Sequence, residues 1–189
     1  MHSLPSPGLC VGTTDVLPDI LTPGLAVVFC GTAAGTASAR RRAYYAGPGN
    51  AFWSSLFVVG LTPRRLEPEE YPILTEFGLG LTDLAKNVSG ADRTLSRGHF
   101  DRDELIAKVR QYGPKVLAFT SKRAAGEFLR RPVCYGLLEE RINDTALFVL
   151  PSPSGAARGH WDLQLWHDLA SLRRVLESSA AAAAPAARR

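Results

Sequence analysis

The chain has 189 residues, of which 46% are hydrophobic and 21% charged, a composition typical of one globular domain and not of a disordered chain. Its three cysteines have no paired spacing, which argues against a zinc ribbon or an iron–sulfur cage, and no run approaches the 18 apolar residues of a membrane span. The net charge is +4, and 18 of the 22 basic residues are arginine, whose planar donors pair bidentately with phosphate. The excess of basic residues, most of them arginine, is typical of a nucleic-acid binder. It is equally well explained by a GC-rich genome that favours arginine codons. The start of the chain has no signal-peptide pattern, so we expect a soluble cytoplasmic protein without a membrane partner.

Composition divides the chain into three parts. Residues 1–18 are rich in proline and glycine and predict an irregular arm. Residues 19–177 predict a single α/β domain without internal repeats. Residues 178–189 are a low-complexity, alanine-rich tail.

Short apolar runs predict the strands of this domain. Each run is continuous rather than alternating, which is typical of strands buried on both faces of a parallel sheet. The runs are 25–30, 115–120 and 146–150, with a weaker one at 79–82.

Helical patterns fall between these runs, at 52–59, 101–112, 121–129 and 160–177. Alternating strands and helices predict a three-layer α/β/α sandwich around a parallel sheet. In such sheets ligands bind in the loops at the carboxyl ends of the strands, which makes 31–50, 82–99 and 151–160 the loops of interest.

The loop predicted after the first strand, 31–38, consists of small residues. Such residues let a ligand approach the backbone, and successive amides can form an anion-binding nest. The string matches neither a dinucleotide fingerprint nor a P-loop, so an ordinary tight turn is the competing interpretation.

The stretch 44–53 contains Gly-Pro-Gly followed by Asn50. One interpretation makes Asn50 a helix cap and places Phe52 and Trp53 in the core. The other has Tyr45 presenting its ring to a planar base by stacking.

The segment after the last strand, 151–158, reads Pro-Ser-Pro-Ser-Gly-Ala-Ala-Arg. Its prolines make it stiff, and the hydroxyls of Ser152 and Ser154, exposed amides and Arg158 are groups that hold phosphate oxygens.

Together these stretches resemble the mismatch-specific uracil/thymine-DNA glycosylase branch of the uracil-DNA glycosylase superfamily. The matching strings occur in the family's order over about residues 18–176, and the Gly-Pro-Gly-Asn-x-Phe-Trp string is the most specific of them. They are 23–31, 45–53, 80–84 and 150–155.

The resemblance implies a central four-stranded parallel sheet and hydrolysis of the base–sugar bond of an extruded nucleotide, with DNA as the partner of a monomer and no cofactor. It implies a nucleoid-associated repair enzyme. Tyr45 looks like the aromatic residue that stacks on the flipped uracil. The substrate-binding positions it implies are Gly31, Thr32, Ala33, Gly35, Tyr45 and Phe52, and the DNA-binding positions are Ser152, Ser154, Gly155, Ala156 and Arg158.

The first motif departs from the family pattern. The family has an asparagine that positions the attacking water where this chain has Ala33, and a methyl group cannot orient water. Loss of general-base help slows a reaction by roughly 10²–10⁴-fold without forbidding it. The candidate catalytic substitutes are Asp83, Asn50 and Ser38, each of which could instead be a cap or a helix-start hydroxyl. The position at which the family inserts a side chain into the DNA stack is Ala156 in this chain. Because alanine is too small to fill the space left by the extruded base, Arg158 is expected to fill it.

Three function classes follow from these observations. The preferred one is a hydrolase that removes uracil from DNA and leaves an abasic site, with other deaminated bases as further candidate substrates because Ala33 leaves the pocket roomy. The second is a module that binds a deaminated base without cutting, and the third is an enzyme acting on free nucleosides. No histidine pair has metal-ligand spacing, so no metal is expected.

Overall fold

The computed structural model describes residues 15–90, 95–155 and 162–183. Its five strands are β1 (Val27–Ala34), β2 (Leu79–Ser89), β3 (Val116–Phe119), β4 (Gly136–Ile142) and β5 (Thr145–Val149). Its helices are α1 (Thr36–Arg41), α2 (Phe52–Val58), α3 (Arg102–Tyr112), α4 (Lys122–Leu129) and α5 (Gln164–Ala183), with 3₁₀ turns at Pro68–Phe77 and Arg97–His99.

The strands form one mixed sheet in the order β2-β1-β3-β5-β4. The first four strands are parallel to one another and correspond to the four predicted runs, whereas β4 pairs antiparallel with β5. The four-stranded parallel sheet is therefore corrected to a five-stranded mixed sheet. Helices cover both of its faces, as the alternation of strands and helices predicts.

Alternate residues of β1 divide the core into two layers. Val27 and Phe29 face a cluster with Phe52 and Leu56 of α2 and Trp166 of α5. On the opposite face, the sheet residues Val28 and Cys30 pack with side chains of α3 and α4, which are Leu105, Val109, Ala124, Ala125 and Phe128. Period-two alternation in a strand buried on both sides produces this arrangement.

Strand β4 has the pattern of an edge strand. Its exposure alternates along Gly-Leu-Leu-Glu-Glu-Arg-Ile, with charged side chains toward solvent. A two-residue turn at Asn143 and Asp144 joins it to β5, and Asn143 has φ 51°, a value that asparagine tolerates better than most residues. The run lacks the continuous apolar character used to find the other strands, which is why the sequence did not predict it.

Residues 15–20, whose first four positions fall in the predicted arm, run along the outer edge of β2. The Ile20 amide donates to the Leu81 carbonyl at 2.9 Å, and the Leu81 amide donates back at 3.0 Å. Further along, the Val16 amide donates to the Lys86 carbonyl at 2.8 Å. This segment therefore occupies backbone groups that an edge strand would otherwise expose.

Candidate functional site

A cavity of about 670 Å³ lies at the carboxyl edge of the parallel strands. Its volume is within the range of small-molecule sites, and its position is the one at which open α/β sheets bind ligands. Most of the predicted site residues that the structure describes line this cavity: Gly31, Thr32, Ala33, Gly35, Ser38, Tyr45, Asn50, Asp83, Ser152, Ser154 and Gly155.

The structure places four of these residues, Gly31, Thr32, Ala33 and Asp83, in strands and not in loops. Gly31 to Ala34 were expected in a loop, but they are the last four residues of β1. Asp83 was expected in the loop after a short strand, but it lies inside β2, which continues to Ser89. Gly31 and Asp83 are direct neighbours across the parallel pair, so β1 and β2 together deliver the carboxylate to the cavity.

Gly31 is required by the position of Asp83. A Cβ atom at residue 31 would lie 2.3 Å from Oδ1 of Asp83 and 3.5 Å from the Tyr45 hydroxyl. The Asp83 carboxylate and the Tyr45 hydroxyl therefore both lie over the bare backbone of Gly31. Asp83 is only 6% exposed, which keeps bulk water from its carboxylate.

The ring of Tyr45 is fixed from two sides. It stacks on Phe52 with centroids 3.8 Å apart and an interplanar angle of 15°, and its hydroxyl lies 3.3 Å from Oγ1 of Thr120. Burial, followed by the negative charge of Asp83, raises the pKa of Tyr45 well above its usual value. Its hydroxyl therefore stays protonated and can donate.

Tyr45 has φ 54°, in the left-handed region. For a bulky residue this conformation is unfavourable by roughly 1–3 kcal/mol and is found where the surrounding structure imposes it. Here a hydrogen bond from the indole Nε1 of Trp53 to the Tyr44 carbonyl, at 3.1 Å, and one from the Ala46 amide to Oγ of Ser38, also at 3.1 Å, hold the loop.

Ser38 and Asn50 are both engaged by the backbone. Ser38 braces the Tyr45 loop through the hydrogen bond just described. The side-chain oxygen of Asn50 accepts from the Phe52 amide at 3.0 Å, so it supports the start of α2. Both residues line the cavity. The N-cap position of α2 is Ala51 and not Asn50, and Ser38 bonds to the loop after α1 and not to the start of that helix, so these structural roles differ from the cap and the helix-start hydroxyl that the sequence suggested.

Phe52 does not line the cavity. It is fully buried and supports the Tyr45 ring from the core side. The direct substrate contact that the resemblance implies for Phe52 is therefore not accessible to its side chain, which lies behind the Tyr45 ring.

The residues that follow β3 were missed by the sequence reasoning. Thr120 and Ser121 line the cavity, and Oγ of Ser121 lies 3.2 Å from Oγ1 of Thr32. Ser121 also caps α4 by accepting from the Ala124 amide at 3.0 Å. The rule that ligands bind at the carboxyl ends of strands, applied to β3 as well, would have found them.

The segment after β5 docks against the Tyr45 loop. The Ala51 amide donates to the Pro153 carbonyl at 2.8 Å. A Cβ atom at Gly155 would lie 2.9 Å from the Pro48 carbonyl oxygen, so only glycine permits this contact. Ser152 and Ser154 thus stand at the cavity wall, whereas Ala156 and Arg158 lie outside the described residues.

Cys30 lies in the middle of β1, and its fully buried side chain packs on the side of the sheet covered by α3 and α4. Burial, followed by the charges of Asp83 and Asp19, raises the pKa of its thiol well above the usual value. Among the described residues, no three His, Cys, Asp or Glu side chains form a group that could hold a metal ion. None of the described helices is long and apolar enough to cross a membrane.

A buried ion network supports the edge of the site. Asp19 pairs with Nζ of Lys86 and with Nζ of Lys108, each at 2.7 Å, and accepts from Oγ1 of Thr82 at 2.7 Å. Nζ of Lys86 also donates to the hydroxyl of Tyr44 at 3.2 Å, and Tyr44 lines the cavity. Burial opposes ionisation of Asp19, but these partners outweigh burial and hold its pKa below the usual range.

This network predicts an acid-sensitive contribution to stability. Because the pKa of Asp19 is lower in the folded chain, its stabilisation is complete above about pH 4, the usual value for an unfolded aspartate, and is lost as the pH falls further. Asp19→Asn should lower the free energy of unfolding at pH 7 by roughly 1–2 kcal/mol, measured by urea denaturation. The difference from wild type should shrink at pH 3, and an equal difference at both pH values would contradict this assignment.

The sequence and the fold of this chain both resemble those of known proteins. The sequence model of the uracil DNA glycosylase superfamily matches residues 18–175, which is most of the chain. The fold is similar to the solution NMR structure of a Methanosarcina acetivorans protein proposed to be a uracil DNA glycosylase. The TM-score is 0.59 at 22% sequence identity, over 85% of this chain and 96% of that chain. At that identity the likeness shows a common fold.

Proposed function

Because the chain belongs to the uracil DNA glycosylase superfamily, we propose that it hydrolyses the N-glycosidic bond of uracil in DNA and leaves an abasic site. The observation that carries this proposal is the meeting of the Asp83 carboxylate and the Tyr45 ring in one cavity at the carboxyl edge of the sheet. We place the chain nearest to the mismatch-specific uracil/thymine branch, acting as a monomer on an extruded nucleotide.

The reaction adds water at C1′ of the deoxyribose. The C1′–N1 bond breaks and its electron pair leaves with the base, through an oxocarbenium-like state. The water oxygen bonds to C1′, and its proton passes to the Asp83 carboxylate. Donors aimed at the departing anion lower the barrier further, and the protonated Tyr45 hydroxyl beside Asp83 is one group able to supply such a bond.

Asp83 on β2 provides a side chain that can activate water, which Ala33 on β1 cannot do. Ala33 offers only a methyl group at the position where the family branch has its water-positioning asparagine. On the neighbouring strand, Ala85 lies opposite Ala33 and Asp83 lies opposite Gly31, two residues before it. A carboxylate at Asp83 therefore reaches the same cavity from the adjacent strand.

The segment after β5 is proposed to grip the DNA backbone. Ser152 and Ser154 stand at the mouth of the cavity beside the Tyr45 loop. Hydroxyls and backbone amides are common phosphate ligands, and they fix register without reading sequence. Arg158, three residues past Gly155, is proposed to fill the space that the extruded base leaves in the stack.

A second function, recognition of uracil in DNA without cleavage, is favoured by one observation. Ala33 removes the side chain with which the family branch orients water, while Tyr45 and the cavity remain. In that case the chain would bind a uracil oligonucleotide but leave it intact.

One assay separates the two functions. Wild-type protein is incubated with a uracil-containing oligonucleotide, which is then treated with alkali to break abasic sites. We expect strand breakage at the uracil, and little change in Ala33→Asn because Asp83 already serves as the base. Binding without breakage in wild type, with cleavage appearing in Ala33→Asn, would establish the second function instead.

A further inference from the structure

A second concavity lies outside the site described above, between α3 and α4. It encloses about 560 Å³. Its lining is unusual because half of the residues are arginines: Phe100, Arg102, Arg123, Gly126, Glu127, Arg130, Arg131 and Pro132. We call this surface the arginine groove.

Two of the guanidinium groups are held in place by the fold. Nε of Arg102 donates to the Phe128 carbonyl at 2.8 Å, and its guanidinium lies 5.3 Å from the Phe128 ring centroid. Nη2 of Arg123 donates to the Leu95 carbonyl at 2.9 Å, and its guanidinium lies 5.9 Å from the Phe100 ring. Side chains restrained in this way lose less freedom when they bind a ligand.

The groove is lined by four arginines and one acidic residue, Glu127, so its charge is only partly neutralised. Arg102 pairs with the highly exposed Asp103 at 3.5 Å, and Arg131 pairs with Glu140. Arg123 and Arg130 form no salt bridge with any residue that the structure describes. Nε of Arg123 is buried and has no hydrogen-bond partner there either, and a buried donor of this kind is normally satisfied.

Helix α4, with its N-cap residue, contributes residues to both the cavity and the groove. Ser121 lines the cavity and caps α4, and Arg123 follows in the first turn of the same helix. Arg130 ends that helix, so the two unpaired arginines are separated by about 10 Å along its axis at 1.5 Å per residue. Over that length of the B-DNA axis, one strand carries about three phosphates.

We propose that the arginine groove binds backbone phosphates of the DNA strand flanking the nucleotide held in the cavity. The choice of DNA as the occupant rests on the proposed function: the groove is rich in arginine, and α4 connects it to the cavity in which that function places the extruded nucleotide. Planar guanidinium forks pair bidentately with phosphate oxygens, and contacts of this type are independent of sequence.

The test uses DNA without uracil, so that it does not depend on cleavage. The full chain is titrated with a uracil-free single strand at several salt concentrations, as wild type, as Arg123→Gln/Arg130→Gln and as Arg65→Gln/Arg110→Gln. The last variant removes the same charge from exposed arginines outside the groove. We expect the slope of log affinity against log salt to fall by about 1.4 in the groove variant, at about 0.7 per phosphate contact on a single strand, and far less in the control.

Three results would overturn the proposal. The first is an equal slope for the two double variants, and the second is an unchanged slope in the groove variant. The third is a polyglutamate peptide that competes for the groove as effectively as a DNA strand of equal charge does. Circular dichroism checks that both variants are folded, and Arg130→Gln alone serves if the double variant is not, with an expected loss of about 0.7. Absence of cleavage by wild type would refute the proposed function while leaving this slope comparison intact.

Discussion

An Asp83→Asn variant should remove uracil from DNA about 10²–10⁴-fold more slowly than wild type, because asparagine cannot accept the proton of the attacking water. Asparagine has nearly the same shape as aspartate, so the neighbouring Gly31 backbone and Tyr45 hydroxyl should stay in place. Single-turnover cleavage measured over a range of pH gives a second signature. The wild-type rate should fall as acid protonates the carboxylate, whereas the residual rate of the variant should lack that dependence.

Two further variants sharpen this test. Gly31→Ala leaves the carboxylate intact but places a Cβ atom where Oδ1 of Asp83 lies, so it should also lose most activity. Asp144→Asn removes an equal charge from an exposed side chain in the turn between β4 and β5, away from the cavity and the arginine groove, and it should cleave like wild type. Full activity in both Asp83→Asn and Gly31→Ala would rule out Asp83 as the base.

A Tyr45→Ala variant should bind a uracil oligonucleotide about 5- to 150-fold more weakly than wild type, which corresponds to about 1–3 kcal/mol of lost stacking on the base. The loss should be confined to uracil DNA, since binding of uracil-free DNA through phosphate contacts does not use this ring. Fluorescence anisotropy with matched uracil and thymine oligonucleotides measures both quantities.

Tyr45→Phe is the control for the ring itself. It keeps the aromatic face and its stack on Phe52 but removes the hydroxyl that meets Thr120. Its binding should stay close to wild type, while its cleavage rate should fall if the hydroxyl donates to the departing base. If alanine at residue 45 leaves uracil binding unchanged, the stacking role is wrong.

Much of the fold was accessible from the sequence because buried parallel strands leave a simple signal. The runs that became β1, β3 and β5 are apolar and only five or six residues long, a length that favours buried strands over buried helices. Strand β4 was missed because an edge strand needs only one buried face. Its Glu-Glu-Arg string is also compatible with a helix, and only pairing with β5 decides between the two.

The site was harder to predict because its geometry depends on register between distant segments. The sequence identified Asp83 as a candidate but placed it in a loop, since a charged residue inside a buried strand is rare. Pairing with β1 opposite Gly31 explains how the strand tolerates it. Phe52 and Tyr45 look alike in sequence, and only packing shows that one ring lies behind the other.

The segment that covers β2 also limits how this protein can recognise other molecules. With Leu81 fully engaged by Ile20 and the Lys86 carbonyl taken by Val16, no peptide can add as a further strand along that border without displacing the chain's own residues. The opposite border, β4, carries charged side chains that disfavour self-association of sheets. Strand addition is therefore blocked on one side and discouraged on the other, which leaves recognition to surfaces built from side chains and loops.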